Sequence, residues 1–136
     1  MFLLKPSQLT ILTTSRCTAR CGHCSVNSAP GRRDRLTWEQ MCQAIDELDS
    51  LNHLSVVIFA GGEPTLLGDE LLNAIAHTDS LGISSMHLVT NAYWAVSPKQ
   101  ARAKLIELRE AGLAELNISA DDFHLPYIPF ERVEYA

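Results

Sequence analysis

The sequence predicts an α/β fold built on about four parallel strands, and three observations support that prediction. Short apolar, β-branched segments alternate with segments whose apolar residues recur at helical spacing. The second, third and fourth strands begin near residues 55, 85 and 115, a repeat of about 30 residues, which is the size of a strand–helix unit. Residues of unusual chemistry follow every predicted strand. The order βαβαβαβ is typical of a parallel sheet.

The first strand and the first helix enclose the longest loop of the chain. The segment SQLTILTT, residues 7–14, is apolar and β-branched and predicts a strand. Residues 36–51 predict a helix, because Thr37 and Gln40 form a capping-box pattern at its start. Its apolar residues recur at helical spacing: Trp38, Met41, Ile45 and Leu48.

The second unit has a clear strand and a clear helix. The run LSVVIFA, residues 54–60, ends at a glycine pair and predicts a parallel strand that is buried on both faces. Residues 68–82 predict a helix, with Asp69 as its N-cap and Gly82 just past its end.

The third unit has the clearest helix. Residues 84–90 predict a strand, and residues 97–112 predict a helix that follows it. Ser97 is the expected N-cap, Pro98 the first helical residue, and Gly112 lies beyond the end. The segment AELNISA then predicts a fourth strand.

The end of the chain predicts an incomplete barrel. The segment PFERV indicates the first turn of a fourth helix, with Pro129 near its start. A complete eight-unit barrel takes about 250 residues, whereas this chain has 136. We therefore expect residues 1–136 to form one domain, a partial barrel or a small open sheet. Because proteins usually cover an open sheet edge, we expect either self-association or truncation of a longer natural protein.

Composition and charge exclude several classes of protein. The net charge of −5 argues against nucleic-acid binding, and the local basic cluster of Arg32, Arg33 and Arg35 is interpreted as a solvated loop. The N-terminal segment MFLLKPSQLTIL breaks at Lys5–Pro6 and lacks the features of a signal peptide. No run approaches the roughly 18 apolar residues of a membrane span. We expect a cytoplasmic protein, whose thiols stay reduced.

Three cysteines within one loop indicate a metal centre. Cys17, Cys21 and Cys24 have the spacing C-x3-C-x2-C, and thiolates bind soft metals and iron–sulfur clusters. Three thiolates on a four-iron cluster leave one iron open to a substrate or cofactor, as in catalytic metal sites. The alternative is a structural zinc site with Cys42 as the fourth ligand. Cys42, however, lies on the apolar side of its predicted helix and suits a core position.

The cysteine spacing together with the segment GGEP, residues 61–64, resembles the radical S-adenosylmethionine (radical SAM) superfamily. The resemblance extends from the first strand through the fourth. It implies that Cys17, Cys21 and Cys24 hold a [4Fe–4S] cluster, whose open iron is chelated by the amine and carboxylate of S-adenosylmethionine. Reductive cleavage of that cofactor would give a 5′-deoxyadenosyl radical, which abstracts hydrogen from a substrate. An electron donor such as flavodoxin or ferredoxin is implied, and a peptide or small metabolite is the expected substrate.

The resemblance also implies cofactor contacts. Gly61 and Gly62 would let the backbone approach the cofactor, and Glu63 would accept a hydrogen bond from its ammonium group. His23 would pack beside the adenine. The full set of implied contacts is Gly61, Gly62, Glu63, Pro64, His23, Asn91, Ser119 and Asp121. Because family members usually have six strand–helix units, a non-catalytic module that needs a partner chain is the alternative function.

Overall fold

A four-stranded parallel sheet organises the part of the chain that the computed structural model describes, residues 5–51 and 53–136. The first four residues of the segment considered as a signal peptide lie outside that part. The spatial order of the strands follows their order in the chain, which confirms the predicted parallel α/β class. The strands are β1 (Gln8–Leu12), β2 (Val56–Ala60), β3 (Ser85–Thr90) and β4 (Glu115–Ile118).

Helices follow the strands as the sequence predicts. The strands β1 and β4 end two residues before their predicted limits, whereas β2 and β3 end at the predicted residues. A 3₁₀ turn at Pro64–Leu67 between β2 and the second helix was not predicted. The helices are α1 (Trp38–Asp49), α2 (Asp69–Ser80), α3 (Pro98–Glu110) and α4 (Phe130–Tyr135). No helix within the described residues has both the length and the apolarity needed to cross a bilayer.

The core lies on one face of the sheet, where α1 and α2 pack against it. Met41 and Ile45 of α1 join Val57 and Phe59 of β2 in a single buried cluster. Cys42 is 7% exposed, as expected of a core cysteine. The prediction that β2 is buried on both faces was wrong in part. Its alternate residues are only partly buried, because the buried cluster that includes both helices contacts one side of the strand.

Two of the three predicted helix N-caps are present in the structure. Thr37 forms the predicted capping box with Gln40, and the Ser97 side chain accepts from the backbone of the third residue of α3. The prediction that Asp69 caps α2 was wrong. Gly68 is the N-cap, with a φ of 57° and no side-chain cap, because the preceding 3₁₀ turn ends there. Asp69 is the first helical residue, where its charge complements the helix dipole.

Because Ser97 caps its helix and Asp69 does not, alanine substitutions at these two positions should lower the free energy of unfolding by different amounts. Ser97→Ala should lower the free energy of unfolding by about 1 kcal/mol, because it removes the hydroxyl that accepts from Gln100 N at 3.3 Å. Asp69→Ala removes only a dipole interaction and should cost less than about 0.5 kcal/mol. Urea denaturation monitored by circular dichroism would measure both values. Equal losses would contradict the assignment of the caps.

Candidate functional site

The ends of the four strands meet around a cavity of about 220 Å³. This arrangement confirms that the motifs following the strands open onto one face, since the segment after each strand contributes a lining residue. The predicted site residues that line it are Cys17, Cys21, Cys24, His23, Gly61, Gly62, Asn91 and Ser119. Glu63, Pro64 and Asp121 do not line it.

The loop that carries the cysteines folds back along itself. Arg16 pairs with Ala29 and Thr14 pairs with Arg35 in isolated bridges, and Cys17 N donates to Ala29 O (3.3 Å). These contacts hold the two arms of the loop side by side. Backbone hydrogen bonds between residues that are well separated in the sequence therefore position the thiols.

Hydrogen-bond donors point at two of the cysteine sulfurs. The backbone N–H of Ala19 donates to Cys17 Sγ (3.4 Å), and that of Ser28 donates to Cys24 Sγ (3.4 Å). Asn91 Nδ2 lies 3.6 Å from Cys17 Sγ and donates to Thr18 Oγ1 (3.0 Å). Such donors stabilise thiolate ligands and tune iron–sulfur clusters. The donor set therefore fits a thiolate-bound metal centre.

The Cys17 and Cys21 thiols lack the lowered pKa of reactive redox cysteines. Burial raises the pKa of the Cys17 thiol, and it is also the main cause that raises the pKa of Cys21. Redox-active and nucleophilic cysteines have a lowered pKa. As metal ligands, these thiols would lose their protons on binding a cation.

The spacing of the sulfurs disfavours a single zinc ion. Tetrahedral zinc with Zn–S bonds of about 2.3 Å brings its sulfur ligands to within roughly 4 Å of each other. Among residues 5–51 and 53–136, the group whose ligand atoms all lie within 4.8 Å is His23, Asp121 and His124, with no cysteine in it. Cys42 is buried in the hydrophobic side of α1. A cluster, in which each thiolate binds a different iron, tolerates wider spacing.

The glycine pair permits the cysteine loop to pack against β2. A Cβ atom on Gly62 would lie 2.1 Å from Arg16 O, and one on Gly61 would lie 2.6 Å from Thr14 O. Gly62 N donates to Thr14 O (2.6 Å), and Glu63 N donates to Arg16 O (2.9 Å). The two glycines were expected to let the backbone approach a ligand closely. They also let the backbone of the cysteine loop approach the backbone that follows β2. The glycines both line the cavity and position the loop.

Glu63 does not have the position that the resemblance implied. Its side chain is 0% exposed. Oε1 accepts from the hydroxyls of Thr65 (2.6 Å) and Thr90 (2.7 Å), and Oε2 accepts from Asn91 N (2.8 Å). Burial raises the pKa of the Glu63 carboxyl, and these hydrogen bonds oppose the rise. The carboxylate ties the ends of β2 and β3 together and is not offered to the cavity.

Pro64 also serves the fold. It is buried and begins the 3₁₀ turn, whereas β2 ends earlier, at Ala60. Trp94, which follows β3, donates its indole N–H to Thr90 Oγ1 (3.1 Å). Its indole therefore joins the same buried network as Glu63.

The Glu63 network predicts a large effect from an isosteric change. In Glu63→Gln, the amide NH₂ would face a donor, either Asn91 N–H or a threonine hydroxyl, because every partner donates to the carboxylate. The free energy of unfolding should fall by about 1–3 kcal/mol. Urea denaturation would measure it. The exposed Glu110→Gln is the matched control and should stay within about 0.5 kcal/mol of wild type; equal effects would contradict the network.

His23 and Asp121 meet at the rim of the cavity. The imidazole of His23 stacks on Phe123, with ring centroids 4.5 Å apart, and its Nε2 lies 3.2 Å from Asp121 Oδ2. Asp121 Oδ1 lies 2.8 Å from His124 Nδ1, and that hydrogen bond lowers the pKa of the Asp121 carboxyl. The predicted ribose contact is thus engaged with two histidines.

Sequence reasoning missed Ser28 as a lining residue. The Ser28 hydroxyl is buried and has no hydrogen-bond partner among the described residues. No motif marks Ser28; its only signal is that it follows the third cysteine in the same loop. An unpartnered hydroxyl beside the thiols is a place where a bound group could supply the missing partner.

The chain resembles known proteins over most of its length. The protein YydG of Bacillus subtilis (strain 168), called a putative peptide biosynthesis protein, is 26% identical over 120 residues. That match covers 88% of this chain and 37% of YydG. The GTP 3′,8-cyclase of Lactiplantibacillus plantarum is 34% identical over 117 residues, which cover 81% of this chain and 32% of the cyclase. The chain therefore spans about a third of the length of these curated relatives.

Solved structures share the fold. The protein anSMEcpe, solved with bound AdoMet and a Cp18Cys peptide, has a TM-score of 0.61 and 18% identity, covering 93% of this chain and 37% of that one. Streptococcus suis SuiB bound to S-adenosylmethionine has a TM-score of 0.51 and 16% identity, covering 88% of this chain and 42% of that one. The family model of the Radical SAM superfamily matches residues 11–127. With the cysteine-lined cavity, this match shows that the chain belongs to the Radical SAM superfamily.

Proposed function

We propose that this protein is a radical SAM enzyme, or the N-terminal part of one, in which Cys17, Cys21 and Cys24 hold a [4Fe–4S] cluster. The observation that supports this most is the convergence of three partly buried cysteines on one cavity, where backbone N–H groups point at two of their sulfurs. S-adenosylmethionine would bind beside them. When bound, this pair supplies reductive cleavage of the cofactor's sulfonium bond and hydrogen-atom abstraction from a substrate.

The residues around the cluster position would hold the cofactor. Because the Glu63 carboxylate is committed to protein donors, the carbonyl oxygens of Gly61 and Gly62 are the better acceptors for the cofactor's ammonium group. The Ser28 hydroxyl has hydrogen-bonding capacity left for a bound group. His23 offers a ring face beside the adenine. Its present stacking on Phe123 leaves the second face as the one that a base could use.

This proposal assigns different roles to Ser119, Asn91 and Asp121. Ser119 lines the cavity at the end of β4 and could reach ribose hydroxyls. Asn91 also lines it, but its amide already bonds the cysteine loop, so we assign it the positioning of Cys17. Asp121 would contact the cofactor only by exchanging its histidine partners for ribose hydroxyls.

We propose a peptide as the substrate. YydG is named for peptide biosynthesis, and anSMEcpe was solved with a peptide. The relationship to GTP 3′,8-cyclases makes a nucleotide the second candidate. GTP is a direct probe of the difference. If GTP increased 5′-deoxyadenosine formation by the reconstituted protein, the peptide proposal would be wrong.

The test of the proposed function is made anaerobically on the reconstituted chain. Iron and sulfide analysis should give about four of each per chain, the content of a [4Fe–4S] cluster. The EPR spectrum of the reduced cluster should change when S-adenosylmethionine is added, and 5′-deoxyadenosine should form. A cluster whose spectrum does not change would favour the non-catalytic module. One tightly bound zinc and no iron would overturn the proposal.

A further inference from the structure

The cysteine loop has a net positive charge in this acidic protein. The whole chain has a net charge of −5, whereas residues 13–36 carry five arginines and one aspartate, a net charge of +4. The remainder of the chain therefore carries −9. Such separation creates a local positive potential that attracts anionic partners and steers their approach. The loop that holds the cysteines is thus a basic segment of an acidic chain.

Four of these arginines line one cavity of about 280 Å³, separate from the cysteine-lined cavity: Arg16, Arg32, Arg33 and Arg35. All four are exposed. Arg35 pairs with Glu70, with Nη2 and Oε1 2.8 Å apart, and within residues 5–51 and 53–136 it is the only one of the four paired with a carboxylate. The sequence had suggested an ordinary solvated loop here. The fold instead gathers unpaired guanidinium groups around one depression.

The arginine-lined cavity and the cysteine-lined cavity share a wall. In one arm of the loop, Arg16 lines the arginine-lined cavity and Cys17 lines the cysteine-lined cavity. In the other arm, Pro30 lines the arginine-lined cavity and Ser28 lines the cysteine-lined cavity. The two arms are bridged at Arg16 and Ala29. Residues adjacent in the chain therefore line the two cavities, and the basic surface lies beside the segment that carries Cys17.

We propose that this arginine surface is the docking site of an acidic protein electron carrier. The inference rests on the proposed function, since a carrier is needed only if the cysteines hold a reducible cluster. The reduced carrier gives up one electron, which passes across the shared wall to the oxidised cluster, and the carrier leaves oxidised by one electron. Charge complementarity supplies recognition and fast association, and the bridged arms of the loop place this surface next to the cysteines.

Binding to the cluster-free chain tests the surface directly. Isothermal titration with oxidised flavodoxin, an acidic flavoprotein, should show binding at about 0.01 M salt that weakens at about 0.15 M, as the Debye length falls from about 30 to about 8 Å. The variant Arg32→Glu/Arg33→Glu should weaken binding about tenfold or more. The control Lys99→Glu/Arg102→Glu changes the net charge equally on α3, and should weaken it less than about threefold.

Reduction of the loaded chain separates this proposal from the proposed function. Dithionite should reduce wild type and Arg32→Glu/Arg33→Glu alike, whereas reduced flavodoxin should reduce that variant about tenfold more slowly. Equal slowing by both double variants, or carrier binding that is insensitive to salt, would overturn the docking site. An acidic peptide that binds through the arginines when the carrier does not would also overturn it. If dithionite reveals no reducible cluster, the proposed function fails, whatever the binding result.

Discussion

Serine in place of Cys17, Cys21 or Cys24 will abolish formation of the cluster. We expect the iron content after anaerobic reconstitution to fall from about four per chain to well below one. The reason is chemical, since a serine hydroxyl does not supply the soft anionic sulfur that iron in such a cluster requires. Iron and sulfide analysis, together with the visible absorption of the cluster, would measure the loss.

Cys42→Ser is the matched control, because it makes the same substitution in a residue packed in the core on α1. It should retain the full iron content and lose about 1–3 kcal/mol in the free energy of unfolding, as a hydroxyl replaces a buried thiol. Loss of metal in Cys42→Ser, with retention in Cys24→Ser, would contradict the three-cysteine assignment and revive the zinc alternative.

Gly62→Ala will be among the most damaging single substitutions in this protein. The new methyl group would lie 2.1 Å from Arg16 O and 2.7 Å from Arg16 C. Both are backbone atoms, so no flexible side chain can move aside. The loop would have to separate from β2, which breaks the bonds from Gly62 N to Thr14 O and from Glu63 N to Arg16 O. We expect the free energy of unfolding to fall by about 3 kcal/mol or more.

The control for this prediction is Gly31→Ala, in the same loop. A Cβ atom on Gly31 has nothing within 4 Å, so its free energy of unfolding should stay within about 0.5 kcal/mol of wild type. Urea denaturation of both variants would measure the difference. A Gly62→Ala variant as stable as wild type would mean that the loop does not pack against β2 as described. Failure of Gly62→Ala to fold would also agree with the prediction, since it would mean that the loss of stability exceeds the stability of the protein.

Local signals in the sequence were sufficient to predict the four strands and the helices that follow them, but not the 3₁₀ turn at Pro64–Leu67. The capping box at Thr37 and the Ser97 cap depend on residues three positions apart, and such contacts can be predicted from spacing alone. The cap at Asp69 failed because the 3₁₀ turn after β2 ends at Gly68, and the geometry of that turn depends on Glu63, whose side chain accepts from Thr65 N. The prediction that β2 is buried on both faces failed because an apolar run does not show which side of the strand the helices cover.

The sequence alone determined the parallel α/β class and the place of the three cysteines beside the other strand ends. These follow from apolar periodicity, from the spacing of residues within one loop, and from the rule that the ends of parallel strands share an edge. Only the tertiary structure decided what Glu63 bonds, what Gly62 packs against, and that His23 meets Asp121. It also decided that Arg16 shares one cavity with Arg32. These contacts join residues far apart in the chain, and the close packing and buried hydrogen bonds that select them exist only once the sheet has formed.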